Sequence, residues 1–149
     1  MKLIKKITQT NDSYAPLIAR VALGVMIFPH GAQKLLGWFG GYGFTGTMDF
    51  FTSQGMPYLI ALLPIVAEFF GGLGLIVGLF SRVAAFGVGF TMLVASTMHI
   101  SNGFFMNWYG QQKGEGIEFF ILAIGLAVSI MLTGAGKLSL DKILSQAKD

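Results

Sequence analysis

Four apolar stretches, each at or near the length that crosses a bilayer, constrain this chain more than any other feature. A helix needs about 20 apolar residues to span the hydrocarbon core. The first stretch covers about 17–36 and carries Arg20, His30 and Lys34. The second, about 57–80, holds a single charge, Glu68. The third, about 83–100, has no formal charge and ends on His99 and Ile100. The fourth, about 117–132, opens beside Glu118 and is short, so either the bilayer thins there or the helix extends past Thr133. The expectation is an all-α integral membrane four-helix bundle, running up-down-up-down in one domain over 1–149.

Composition excludes the main alternatives. Only 11% of residues are charged, against about 25% in a soluble domain. Soluble enzymes, nucleic-acid binders and disordered chains do not fit that count. With 21 glycines and 14 phenylalanines, the pattern suits helices packed closely in lipid. The absence of cysteine removes disulfide exchange, thiolate nucleophiles and cysteine-held iron–sulfur clusters. Arg20 interrupts the first apolar stretch and no small-residue cleavage motif follows it, so that stretch reads as a span rather than a signal peptide.

Loop charge sets the expected orientation. One side collects Lys2, Lys5, Lys6, Arg82, Lys137, Lys142 and Lys148; the other has Lys34 and Lys113. Seven against two is a positive-inside bias that places both termini in the cytoplasm. Residues 2–7 read as a basic amphipathic segment on the inner leaflet. In the long loop 37–56, Thr45 or Thr47 is expected to cap a short interfacial helix through Met48, Phe50 and Phe51, ended by Gly55 before Pro57. Trp38-Phe39 and Trp108-Tyr109 fit an aromatic belt. Arg20-Val-Ala22 and Arg82-Val-Ala84 each open an odd-numbered span and hint at an internal duplication.

Ionisable groups in lipid are costly and usually face the bundle interior. Antiparallel threading gathers His30, Gln33, Lys34, His99 and Glu118 in the outer half. Glu68 lies eleven residues into its span, about 16 Å deep. Arg20, in the inner half, is expected to form a structural ion pair with Glu68. Glycines share faces with these groups, as in the stripe Arg20, Gly24, Ile27, Gly31 and Lys34. Pro29 is expected to kink the first span and aim His30 into a cavity.

Histidine, glutamate and lysine at this depth suit a quinone headgroup. On that reading His30, Lys34, His99 and Glu118 bind the cofactor, while Glu68, Glu118 and His99 carry catalytic proton transfer. Two histidines also admit haem b as a second choice. No HExxH spacing supports zinc, and no metal site is expected. Polar residues that merely glue the helices together remain the alternative reading of the same cluster.

The chain resembles the DoxX family of small four-span membrane proteins. The resemblance rests on Arg20-Val-Ala-Leu-Gly24, His30-Gly31 and Gln33-Lys34-Leu35 ahead of a Gly/aromatic loop. It continues through Glu68-Phe-Phe-Gly-Gly72, Gly78-Leu-Phe-Ser-Arg82, His99 with Asn102-Gly103-Phe104, Glu118, and Lys137-Leu-Ser-Leu-Asp141. It implies a multi-pass protein of the bacterial inner membrane, of a kind often labelled oxidoreductase. It also implies relatives linked to thiosulfate:quinone oxidoreductase and to membrane complexes that handle oxidative or thiol stress. The functional expectation is a quinone-linked membrane oxidoreductase or the membrane subunit of one. Its partners would be the lipid bilayer, soluble or membrane oxidoreductase subunits, or further copies of itself. The alternatives are a non-catalytic membrane anchor or assembly subunit, and a small-solute transporter, which four short spans would enclose only by oligomerising. Reporter fusions at Asp149 test the orientation: activity is expected from a cytoplasmic reporter, and activity only from an outside-specific one overturns it.

Overall fold

With no water in the hydrocarbon, a spanning segment must satisfy its backbone internally, and helices do so residue by residue. The computed structural model describes residues 2–146, with side chains from residue 4 onward. Lys148 and Asp149, and the side chain of Lys2, fall outside that range. The described residues are helical with no strands. The helices are α1 (Lys2–Thr8), α2 (Tyr14–Leu36), α3 (Gly43–Ser53), α4 (Tyr58–Val77), α5 (Ser81–His99), α6 (Glu118–Thr133) and α7 (Leu140–Gln146). Helices α2, α4 and α5 are long and apolar enough to cross a membrane, and α6 is a shorter apolar helix of 16 residues.

Local chemistry sets the boundaries. Ser13, in extended conformation, accepts the Ala15 N–H at 3.2 Å and starts α2 three residues before the apolar stretch. Pro16 fits within the first turn, where its missing N–H costs nothing. The helix then runs unbroken through Pro29, so the expected redirection of His30 does not occur, and His30 is exposed. The loop helix α3 exists, but it starts at Gly43 with no side-chain cap. Thr47 is buried inside it instead of capping it. Met48 packs with Ala61 and Ile65 of α4, beside Leu35, and this small core fastens α3 to the loop ends of α2 and α4.

The main core lies between α2, the second half of α4, α5 and α6. Leu23, Ile27, Leu75, Val88, Met92 and Ile130 fill it, with small Ala85, Ala123 and Ala127 between them. Where α2 crosses α4 the two backbones touch. A Cβ on Gly31 would lie 2.5 Å from the carbonyl carbon of Glu68, so only glycine fits there.

Both termini gather at one end of the bundle. Asn11 N–H donates to Thr133 O and Lys137 N–H to Ser13 O, each at 3.0 Å. On the surface of this end Lys142 donates to Asp12 at 2.7 Å, which holds the Asp12 carboxyl below its ordinary value. Beneath it lies a buried polar clamp. The Arg20 side chain, 1% exposed, gives Nε to Ala135 O at 2.8 Å and Nη1 to Leu75 O and Ile76 O at 2.9 and 2.6 Å. Its Nη2 reaches Leu138 O at 2.6 Å and Lys137 O at 3.4 Å. Leu75 and Ile76 close α4, where the last carbonyls lack helical partners and the dipole favours a cation. Asp141, also 1% exposed, holds the next helix start: Oδ1 accepts Phe80 N–H at 2.6 Å and Oδ2 accepts Ser81 N–H at 2.8 Å. Gly78, at φ 72, turns the chain between the two charges.

Arg20 therefore does not pair with Glu68. Its fork is filled by carbonyls, and on α2 it lies fourteen residues, about 21 Å, from Lys34, the residue that does pair with Glu68. Replacing Arg20 by Met leaves several buried acceptors bare and is expected to cost about 3–5 kcal/mol in denaturation of the solubilised protein. Combined with Glu68→Gln, the losses should add to within about 0.5 kcal/mol; a large coupling would restore the Arg20–Glu68 pair.

Candidate functional site: an intramembrane ion pair beside a π-turn

Halfway along α4 the helix changes pitch. Ala67–Gly71 forms a π-turn between α-helical segments, three residues after Pro64, whose ring nitrogen cannot donate. Such turns are rare and recur at functional sites. Glu68 sits in this turn, against the close crossing at Gly31.

One turn beyond Gly31, Lys34 reaches across from α2. Its Nζ donates to Glu68 Oε2 at 2.6 Å. The Glu68 side chain is 5% exposed and that of Lys34 26%. The carboxylate is thus shielded, while the ammonium keeps an open side. Three donors on Nζ leave capacity beyond Glu68. The residue after Glu68, Phe69, packs at 5.4 Å from Phe28 of α2 and at 5.1 Å from Phe70. In such surroundings an isolated charge is expensive, and the contact gives each side chain a partner. Lys34 can still donate to a further acceptor.

The other expected site residues are placed differently. His30 touches only the edge of Phe119, with ring centroids 6.4 Å apart. His99 packs on Phe120 at 5.0 Å, and its Nδ1 lies 3.2 Å from Glu115 O, a contact in which the ring nitrogen must donate. Phe119 and Phe120 pack edge to face at 5.6 Å, so the two imidazoles rest on neighbouring rings of one pair. Glu118 is taken up by its own loop: Oε1 accepts Met106 N–H at 2.9 Å and Trp108 Nε1–H at 3.1 Å. Glu115 does the same for Asn107 N–H at 2.8 Å. His30, His99 and Glu118 therefore do not converge on one cavity. Among the described residues, no three His, Cys, Asp or Glu side chains gather as a metal site. Gln33 donates to Phe39 O at 3.3 Å and steadies the loop after α2.

Sequence reasoning paired Glu68 with the wrong cation and overlooked the buried Asp141. The signal for Lys34 was present in the stripe that already contained Gly31 and Lys34. For Asp141 the signal was an acid set between Leu140 and Lys142 in a basic tail.

Fold and site define a multi-pass helical membrane protein that carries an acid–base pair inside its bundle. The DoxX profile matches residues 15–101, a stretch that includes Arg20, Lys34, Glu68 and His99, and the chain belongs to the DoxX family. Among its relatives, inner membrane protein YqjF of Escherichia coli K12 is 27% identical over 136 residues, covering 87% of this chain and 92% of YqjF. The Bacillus subtilis 168 protein named "Putative oxidoreductase CatD" is 29% identical over 133 residues, covering 89% of this chain and 88% of CatD. Inner membrane protein YphA of E. coli K12 is 29% identical over 131 residues, covering 85% and 87%. No solved structure matches the chain.

Lys34→Met alone strands the Glu68 carboxylate and is expected to destabilise the solubilised protein by about 3–5 kcal/mol. Adding Glu68→Gln should recover most of that loss. A double-variant loss equal to the sum of the two single-variant losses would show that the pair is not coupled.

Proposed function

We propose that this protein is a quinone-linked membrane oxidoreductase, or the membrane subunit of one, with the Lys34–Glu68 pair as its quinone-side site. The observation that carries this reading is the shielded carboxylate in a π-turn, joined at 2.6 Å to an ammonium that is still partly open. An ionisable pair inside a bilayer is costly to keep and marks sites of proton or ligand handling. The relative CatD, whose name carries an oxidoreductase label, favours the same class.

The residues present fit a quinone headgroup. Lys34 offers a charged donor for a carbonyl oxygen, and Phe28, Phe69 and Phe70 form an aromatic cluster on the same two helices. A bound quinone would supply the electron-accepting chemistry. Glu68, whose Oε2 accepts from Lys34, would first take up a proton and then pass it to the headgroup oxygen as the partner's electrons arrive. While it held that proton its charge would be cancelled and Lys34 would be free to donate to the headgroup; giving the proton up would restore the pair. Electrons would come from a partner, because the chain has no cysteine of its own. On this reading the terminal end, rich in lysine and arginine, faces the cytoplasm.

A second reading draws on a different observation. Trp108 and Tyr109 are 80% and 90% exposed on a loop that Glu115 and Glu118 hold in shape, which suits a membrane anchor that presents a docking loop. The two are separated by extracting the purified protein and identifying bound lipophilic molecules by mass spectrometry. A co-purifying quinone, lost in Glu68→Gln with the helical spectrum unchanged, is the expected result. No quinone in the wild type, together with a soluble partner lost on Trp108→Ala, favours the anchor.

A further inference from the structure

We propose that the terminal end of the bundle carries a binding site for an anionic glycerophospholipid, built by Val77 and the segment from Lys137 to Gln146. A groove of about 470 Å³ opens between the end of α4 and this segment. Its lining combines two ammonium groups, Lys137 and Lys142, with the apolar side chains of Val77, Leu138, Leu140 and Ile143. That pairing of cation and hydrocarbon matches a headgroup joined to acyl chains.

Three further observations point the same way. Both lysines are already tethered. Nζ of Lys137 sits 4.5 Å above the Tyr14 ring, and Nζ of Lys142 is held by Asp12 at 2.7 Å. Each keeps donors for a phosphate. The carboxylates among the described residues do not oppose the ligand equally: both Asp141 oxygens are used on the amides of Phe80 and Ser81, whereas Asp12 competes for Lys142.

Leu138 supplies the second observation. Its backbone lies at φ 53, the left-handed region that glycine adopts more easily, and its carbonyl is fixed there by Arg20. Its side chain is 77% exposed within the protein. A strained leucine that buries little of itself gains from an apolar neighbour outside the chain, and an acyl chain supplies one. The third is α7, where Leu140, Ile143 and Leu144 form one stripe at helical spacing and all three are exposed. A helix with such a stripe lies at the headgroup boundary with its apolar face in the acyl region.

The test uses the full chain in neutral detergent. Thermal unfolding and native mass spectrometry are run with phosphatidylglycerol, with phosphatidylcholine of the same acyl chains, and with inorganic phosphate alone. Phosphatidylglycerol should bind and raise the midpoint more than the other two. A lysine near a headgroup is worth about fivefold in affinity, so Lys137→Gln with Lys142→Gln should weaken phosphatidylglycerol by about 30-fold. Asp12→Asn should tighten it, because the carboxylate it removes competes with the phosphate for Lys142. Should the double lysine variant fold poorly, a photoreactive phosphatidylglycerol added to the wild type should label residues between 137 and 146. Equal binding of phosphatidylcholine, an equal effect of inorganic phosphate, unchanged affinity in the lysine and Asp12 variants, or label found only elsewhere would each overturn the proposal.

Discussion

A guanidinium buried 1% exposed in a membrane bundle needs an acceptor for nearly every donor, and this one finds five. Arg20 binds no carboxylate directly. It meets the carbonyl ends that a helix terminus and an irregular loop leave open, where its partial negative partners are fixed by the backbone. Asp141 does the converse at the adjacent helix start, using the same turn around Gly78. The two side chains therefore treat the α4–α5 turn as a single polar object, satisfied from both sides. The four-helix core can be small and alanine-rich because this turn does not need water.

The second arginine repeats the device. Arg82, at the start of α5, donates Nη1 to Met131 O in the last turn of α6, and Nε to Gln9 O at 3.2 Å. So each odd-numbered span begins with an arginine that closes the end of the span following it. The matching Arg-Val-Ala segments seen in the sequence acquire a physical sense here. The loop ends do not repeat. One uses a Lys–Glu pair across helices, whereas the other uses glutamates to shape a loop. A shared structural frame with divergent outer halves separates what holds the bundle from what it can do.

Much of this was legible before any coordinates. The apolar stretches fixed four antiparallel helices, and the short fourth one is short in the structure too. The loop helix was foreseen from a threonine cap and the Gly55–Pro57 stop, though not its start, because Tyr42 and Gly43 open it without a side-chain cap. Depth was legible in part: counting put Lys34 in the outer half, but put Glu68 about 16 Å down, near the middle of the bilayer and away from it. What counting could not supply was azimuth. Arg20, with a long side chain, could reach several partners, and sequence favours the carboxylate because charges are visible and carbonyls are not. His30 and His99 share a depth, yet whether two side chains at one depth meet depends on rotation about each axis. Here His30 rests against Phe119 and His99 against Phe120. The π-turn was illegible for a related reason, since one residue more per turn leaves the hydrophobic pattern almost unchanged.

The partners of Arg20 are drawn from opposite ends of the chain. Three of its five acceptors, Ala135, Lys137 and Leu138, stand 115 to 118 residues after it. The others, Leu75 and Ile76, are 55 and 56 residues away. During synthesis the first span is therefore made with an arginine that nothing in its own helix can satisfy. The second span brings two of the carbonyls, and the rest exist only after the ribosome has passed residue 138. The charge that enters the membrane first is the last to be fully enclosed, so the bundle locks from its tail backwards.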